Sequence, residues 1–198
     1  MGKNLIIFMK NPQLGFVKTR LARTVGDKKA LDIYLQLVEK CKLETQQVKA
    51  NRFLYYSKSI ETTDLWNGMV FQKRLQFQGD LGERMQTAFQ EIGENKKGPI
   101  IIIGCDCYDL TANIIEQAFE ALEKCDLVIG PANDGGYYLL GLNHPDSDLF
   151  KGIDWSTEKV FRQTMEIVQQ KKMTYTILQE LIDLDTFEDL EKSGFPKH

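Results

Sequence analysis

No stretch of this 198-residue sequence is apolar for long enough to cross a membrane. The run near its N-terminus, Leu5 to Met9, stops at Lys10 and Pro12, too short for the core of a signal peptide. Gly2 is followed by Lys-Asn-Leu-Ile, without the Ser or Thr of a myristoylation signal, so a cytoplasmic protein is expected. Excess positive charge is missing too. A formal net charge of -3 and a pI near 5.5 argue against a chain that coats nucleic acid or anionic lipid, and point to a small-molecule partner. The four cysteines, at 41, 105, 107 and 125, form no CxxC pair, disulfide framework or zinc spacing, and are expected to be reduced and mostly buried. No GxGxxG follows the first apolar run and no GxxxxGK[ST] occurs, which argues against a dehydrogenase or a P-loop kinase. Repeats, low-complexity tracts and linkers are absent. With 42% hydrophobic and 27% charged residues, one core and a single domain over 1–198 are expected.

What the chain does contain is an alternation of short apolar runs and amphipathic stretches. Strands are expected at Asn4 to Met9, Arg52 to Tyr56, Val70 to Phe77, Ile100 to Ile103, Asp126 to Gly130, Tyr137 to Leu142 and Met173 to Leu178. Helical spacing marks Val17 to Arg23, Asp27 to Val48, Glu83 to Ile92, Asn113 to Glu123 with Thr111 as N-cap, Ser156 to Lys171, and Asp183 to Glu191. This pattern predicts a three-layer α/β/α domain with a mostly parallel sheet.

The most informative stretch is Ile100 to Thr111. Four consecutive isoleucines read as a strand buried on both faces, and Asp106 stands where that strand runs out, at the edge where open α/β sheets bind ligands. An Asp after a strand often only closes a turn. Here the apolar strand places the carboxylate near the interior, where a bare charge is costly unless paired or metal-bound. An oxygen ligand of this kind suits Mg²⁺ or Mn²⁺, which leave most of their shell to phosphates and water. After the first strand, Lys10, Gly15, Lys18, Arg20 and Arg23 surround a turn and a helix start. Backbone N–H groups and cations gathered there suit a di- or triphosphate better than they suit a solvated helix end.

The segments KNPQLGFVKTRL, QGDLGERM, GCDCYDLT, GPANDGGYYLLGL, DWSTEKVF and LIDLDTFEDL, in this order over nearly the whole chain, resemble the DUF2064 family. Members are labelled glycosyltransferase-like or radical-SAM/selenodomain-associated transferases and group with the nucleotide-diphospho-sugar transferases of GT-A type fold. The resemblance implies a nucleotide over the C-terminal strand edge, with the first loop and the QGDLGERM turn, including Asp80 and Arg84, on its base and phosphates. It implies that Asp106 replaces the DxD metal motif. The usual Ser-Asp-Ser-Pro-Asp-Leu reads Cys105-Asp106-Cys107-Tyr108-Asp109-Leu110 here, so thiols, which are weak hydrogen-bond partners, replace two hydroxyls.

A second metal ligand in such folds often comes from late in the chain. Asp185, three residues before Glu188, is expected to be the N-cap of the last helix in a capping box, which leaves Asp183 as the better ligand candidate. Asn133 to Tyr137 is the expected sugar or acceptor side: Gly135 and Gly136 permit close backbone approach, and Asp134 can accept a hydrogen bond from a hydroxyl or act as a base. An Asp-Gly hairpin turn before the next strand is the competing reading. Trp155 is a candidate pocket wall, with core packing as its alternative, and His144 reads as a surface residue.

The expected activity is metal-assisted transfer from a nucleotide-linked donor to a small acceptor, with Asp106 at the metal and Lys18 and Arg20 offsetting leaving-group charge. Glycosyl transfer from a nucleotide sugar ranks first. Nucleotidyl transfer from a nucleoside triphosphate, releasing pyrophosphate, stays open because the phospholactate guanylyltransferase type also carries Lys-x-Arg-Leu after strand one, whereas the pyrophosphorylase signature GxGTRLxPLT is absent. A third reading is a nucleotide-binding sensor without turnover.

Overall fold

The computed structural model describes residues 2–196. Seven strands form one sheet: β1 (Asn4–Met9), β2 (Asn51–Tyr56), β3 (Gln72–Leu75), β4 (Ile100–Gly104), β5 (Leu127–Pro131), β6 (Tyr137–Leu142) and β7 (Tyr175–Ile177). The helices are α1 (Thr19–Val25), α2 (Asp27–Gln47), α3 (Leu81–Asn95), α4 (Ala112–Ala121), α5 (Val160–Gln170) and α6 (Phe187–Lys192), with a 3-10 turn at Ser147–Phe150. The strand order is β3-β2-β1-β4-β6-β5-β7, and only β6 runs against its neighbours. The expected mostly parallel α/β architecture is what the chain forms.

Strand alternation builds two cores. Leu5, Ile7, Met9, Ile101 and Ile103 face α2 and α4, where they meet Tyr34, Val38, Ile115 and Phe119. Ile6, Ile100 and Ile102 face the other way, onto Met85, Phe89 and Ile92 of α3 and Met165 and Val168 of α5. The isoleucine run is therefore apolar throughout because both of its faces are covered. A third, smaller cluster joins Leu21 of α1 and Ile33 and Leu37 of α2 to Leu184 and Phe195.

Several expected boundaries shift for local reasons. α1 begins at Thr19 rather than Val17 because Lys18, its N-cap, is left-handed at φ 49. α5 begins at Val160 rather than Ser156: Ser156 has φ 63, and Thr157 Oγ1 donates to the Asp154 carbonyl. α6 begins at Phe187, capped by Thr186 and not by Asp185; Thr186 Oγ1 accepts from Asp189 N, and the Asp189 carboxylate accepts from Thr186 N at 2.8 Å. The capping box is thus set one residue later than expected, with Asp189 in the place of Glu188.

The order of strands positions the site. From β1 the chain moves one way to β2 and β3, then returns across to β4, so β1 and β4 flank the switch point of the sheet. In register, Phe8 lies beside Gly104, which brings Lys10 and Asp106 to the same edge. β6 joins β4 through Gly141, where an added Cβ would lie 2.5 Å from Val128 Cγ1 and 3.0 Å from Ile101 Cγ1. A Gly141→Ala substitution is accordingly expected to overpack the central sheet and cost about 1–3 kcal/mol, read as a lower urea midpoint at unchanged slope.

Candidate active site at the strand ends

A cleft of about 590 Å³ opens over the C-terminal edge of β1 and β4, within the size range of small-molecule sites. Lys10, Arg20 and Arg84 line it, together with Asp106, Asp134, Gly136, Trp155, Asp183 and Asp185. Gln76 and Tyr34 contribute polar groups that sequence reasoning did not single out. Gln76 is buried, its Nε2 donating to the Tyr55 carbonyl at 3.0 Å. Tyr34 reaches up from α2, its hydroxyl donating to the Lys10 carbonyl at 2.7 Å and accepting from Lys10 N at 3.0 Å. The base of the first loop is fixed in this way.

At the floor of the cleft the charges are arranged around Lys18. Its side chain is only 2% exposed, and Nζ lies 2.6 Å from Asp106 Oδ1 and 3.1 Å from Asp185 Oδ1. The expected phosphate-binding role for Lys18 therefore meets a different geometry: its ammonium is turned to carboxylates and does not line the cleft, while Arg20, 62% exposed, does. Burial alone would depress the Lys18 pKa, but Asp106, Asp183 and Asp185 more than offset it and hold the amine charged.

The chain closes this cluster through its backbone. Leu184 N donates to the Asp106 carbonyl at 3.1 Å, and Leu184 itself is fully buried. Asp183 N donates to Asn133 Oδ1 at 2.8 Å, and Asn133 Nδ2 donates to Asp189 Oδ1 at 2.9 Å. Asp183 and Asp185, on either side of Leu184, are carried to Asp106 by those bonds. With Asp189 as its box partner, Thr186 caps α6, so the carboxylate of Asp185 is left to Lys18 and, at 3.8 Å, to Arg20.

The two deepest carboxyls are shifted in opposite directions. Burial opposes ionisation of Asp106, yet Lys18, with Lys10 behind it, holds its carboxyl below the usual range. Burial and then the negative charge of Asp106 push Asp183 well above it. Both carboxyls face the cleft rather than sealed core, and Asp106 is about a quarter exposed. Asp106 Oδ1 is shielded from water and its charge is met by Lys18 Nζ at 2.6 Å, with Lys10 farther off. A partly exposed, ionised carboxylate beside a second carboxyl is a donor set suited to Mg²⁺ or Mn²⁺. Among the described residues no three His, Cys, Asp or Glu side chains form a ready-made metal cage, so any such ion would draw further ligands from phosphate and water.

The middle motif has a structural explanation residue by residue. Asp80 caps α3 in a box with Glu83, each side chain meeting the other's backbone N–H at 2.9 Å, and it does not line the cleft. Arg84 Nε donates to the Gly79 carbonyl at 2.7 Å, which aims the rest of the guanidinium at the cleft. Gly82 is small because the indole of Trp155 rests on it: a Cβ there would lie 2.2 Å from Trp155 Nε1. Trp155 also stacks on Phe150 at 6.5 Å, so it is both wall and packing.

The glycines on the far side divide their roles. Asp134 Oδ1 accepts from Gly136 N at 2.9 Å, closing the turn between antiparallel β5 and β6 while Asp134 and Gly136 line the cleft. Gly135, at φ 85, does not line the cleft; a Cβ there would lie 2.2 Å from the Glu158 carbonyl oxygen. Gly15, at φ 77, likewise shapes the first loop without lining the cleft.

A mostly parallel sheet with a cleft at its switch point, floored by carboxylates and edged by cations, is the architecture of the nucleotide-diphospho-sugar and nucleotidyl transferase folds. The chain belongs to the DUF2064 family, described as an uncharacterized protein conserved in bacteria, whose model matches residues 41–157. It is 29% identical to a Desulfovibrio desulfuricans G20 protein provisionally named a nucleotide-diphospho-sugar transferase, with a TM-score of 0.88 over 96% of this chain and 85% of that one. The inositol-1-phosphate CTP transferase of T. maritima shares the fold at 11% identity and a TM-score of 0.60, covering 96% of this chain and 92% of that one. The same holds for Rv0371c of Mycobacterium tuberculosis H37Rv, solved in complex with manganese, at 8% identity and a TM-score of 0.57 over 97% of each chain. No curated protein matches the chain. Among the described residues no helix is long and apolar enough to cross a membrane.

The raised pKa of Asp183 has a consequence for stability. A carboxyl raised in the folded state contributes stability that is fully present below its unfolded value and is lost as pH rises through the folded value. Asp183→Asn removes that loss. In urea titrations the stability of the variant relative to the parent is expected to rise progressively as pH rises above about 4. A constant gap across this range would contradict the assignment.

Proposed function

We propose that the chain is a nucleotide-utilising transferase whose donor lies in the cleft with its phosphates between Asp106 and the cations Lys10, Arg20 and Arg84. The observation that carries this reading is the partly exposed Asp106 carboxylate, held ionised by Lys18 beside the carboxyl of Asp183 and facing a cleft of about 590 Å³. The described chain acts as a single domain around one sheet. The manganese complex of the similarly folded mycobacterial protein supports a divalent cation, which Asp106 and Asp183 would hold here. When bound, such an ion supplies Lewis-acid stabilisation of phosphate charge.

The chain's own groups do the remaining work. Lys18 keeps Asp106 ionised and in place, which pre-organises the site before substrate arrives. Arg20 and Arg84, with planar donor forks, suit diphosphate oxygens, and Lys10 adds a point charge. Trp155, backed by Phe150, screens one wall from water. Asp134, tied to Gly136 N, is placed to orient an acceptor hydroxyl and to take its proton.

Glycosyl transfer from a nucleoside diphosphate sugar is the first reading, supported by the name of the 29% identical Desulfovibrio protein. It breaks the bond between the sugar C1 and the diphosphate and releases a nucleoside diphosphate. Nucleotidyl transfer is the second, supported by the cation-lined first loop and by the cytidylyltransferase neighbour of the same fold. A sensor that binds and does not turn over is the third.

Incubating the protein with Mg²⁺ or Mn²⁺, a panel of nucleoside triphosphates and nucleoside diphosphate sugars, and candidate acceptors separates them. Release of nucleoside diphosphate supports the first, release of pyrophosphate the second, and binding with neither the third; absence of any nucleotide binding contradicts all three. Asp106→Asn is expected to lower turnover at least about 100-fold, the scale of losing a group that acts on transition-state charge. Arg20→Ala is expected to weaken nucleotide binding about 10-fold, as for loss of one charge-assisted contact.

A further inference from the structure

The two thiols around Asp106 are unexplained by phosphate or metal chemistry, and one of them has a partner. Cys105 Sγ donates to Cys41 Sγ at 3.4 Å, and among the described residues no other pair of thiols makes such a contact. Cys41 sits on α2 between two residues that fasten this helix to the strand ends. Tyr34, seven residues earlier, hydrogen-bonds the backbone of Lys10 after β1. Glu44, three residues later, accepts from Ala112 N at the start of α4 at 2.7 Å. Those spacings put all three side chains along one face of α2, so the approach of the thiols follows from how the helix is seated.

We propose that Cys41 and Cys105 are a redox modification site: a dithiol that closes reversibly to a disulfide, tying α2 to the residue before Asp106. Bonding requires a further approach of about 1.3 Å, from 3.4 Å to the usual sulfur–sulfur bond length. Cys41 is partly exposed and Cys105 is buried but lines the cleft, so a small oxidant reaches the pair from either side. Cys107 and Cys125 are buried, and Cys125 Sγ already donates to the Ala121 and Leu127 carbonyls at 3.1 Å.

The oxidant class is a low-molecular-weight disulfide. The Cys41 thiolate attacks one sulfur of the small disulfide and expels one small thiolate, leaving a mixed disulfide on Cys41. Cys105 then attacks Cys41 Sγ, its proton passing to the second small thiolate as that group leaves. Two protein thiols lose two protons and two electrons, and one small disulfide becomes two small thiols.

The experiment equilibrates the native protein in glutathione buffers from fully reduced to fully oxidised, quenches in acid, then alkylates all free thiols in denaturant and maps the peptides by mass. The expected result is joint loss of the Cys41 and Cys105 thiols, a protein lighter by two hydrogens with no adduct retained, Cys107 and Cys125 still alkylated, and full reversal by reductant. Cys105→Ser is expected to stop at a glutathione adduct on Cys41. Hydrogen exchange over Gly104 to Leu110 is expected to slow about 10-fold in the oxidised form, because the tie suppresses local opening there. Four alkylatable thiols in the oxidised buffer, a bond mapped to Cys107, or an intramolecular bond surviving in Cys105→Ser would each overturn the pair. Unchanged exchange in the oxidised protein would overturn the tie to the Asp106 segment.

Discussion

The ammonium of Lys18 is the point on which the strand-end architecture depends. It is nearly sealed from water, carries a full charge, and meets Asp106 and Asp185 directly with Asp183 close behind. Three carboxyls in so small a volume repel one another, and a buried charge left without its partner costs several kcal/mol. The lysine resolves this by keeping Asp106 ionised, while burial and the charge of Asp106 push the carboxyl of Asp183 upward. Its left-handed backbone is the visible strain of placing a long cationic side chain beneath the loop rather than in solvent.

The sheet makes this arrangement possible. β1 and β4 end side by side, so the loop that carries Lys18 and the turn that carries Asp106 start from adjacent points. The return segment from β7 then lays Leu184 against the Asp106 carbonyl, with an acid on each side of it. The cleft above inherits a charged floor and a rim of cations, with an indole wall seated on Gly82. Such a polarity is of use to a ligand that is itself anionic at one end and apolar or planar at the other, which describes a nucleotide.

Much of this was legible in the sequence, and the parts that were not share a cause. The four isoleucines, the alternation of elements, Asp106 at the strand end and the cations after β1 follow from local patterns that burial on both faces imposes. Asp183 was found as the acid outside an expected cap, but the cap itself was placed one residue too early. Thr186 and Asp185 are both good N-caps by type, and what decides between them is Lys18, 167 residues away in sequence from Asp185. Lys18 likewise reads as a phosphate ligand in the sequence, which reports charge without its partners. Gly135 and Gly15 suggest ligand approach, whereas Gly135 avoids the Glu158 backbone and Gly15 supplies a turn. Apart from Gly15, whose turn is local, the missing information was a contact between segments far apart along the chain.

The central claim, that Asp106 is the anchor for a metal-bound nucleotide in this cleft, is tested most directly by anomalous diffraction from crystals soaked with Mn²⁺ and a mixture of nucleoside triphosphates and nucleoside diphosphate sugars. The account predicts a manganese peak bonded to a carboxylate oxygen of Asp106, with phosphates reaching toward Arg20 and Arg84 and Lys18 still paired beneath. Nucleotide bound elsewhere, or bound in the cleft with manganese away from Asp106, would contradict it.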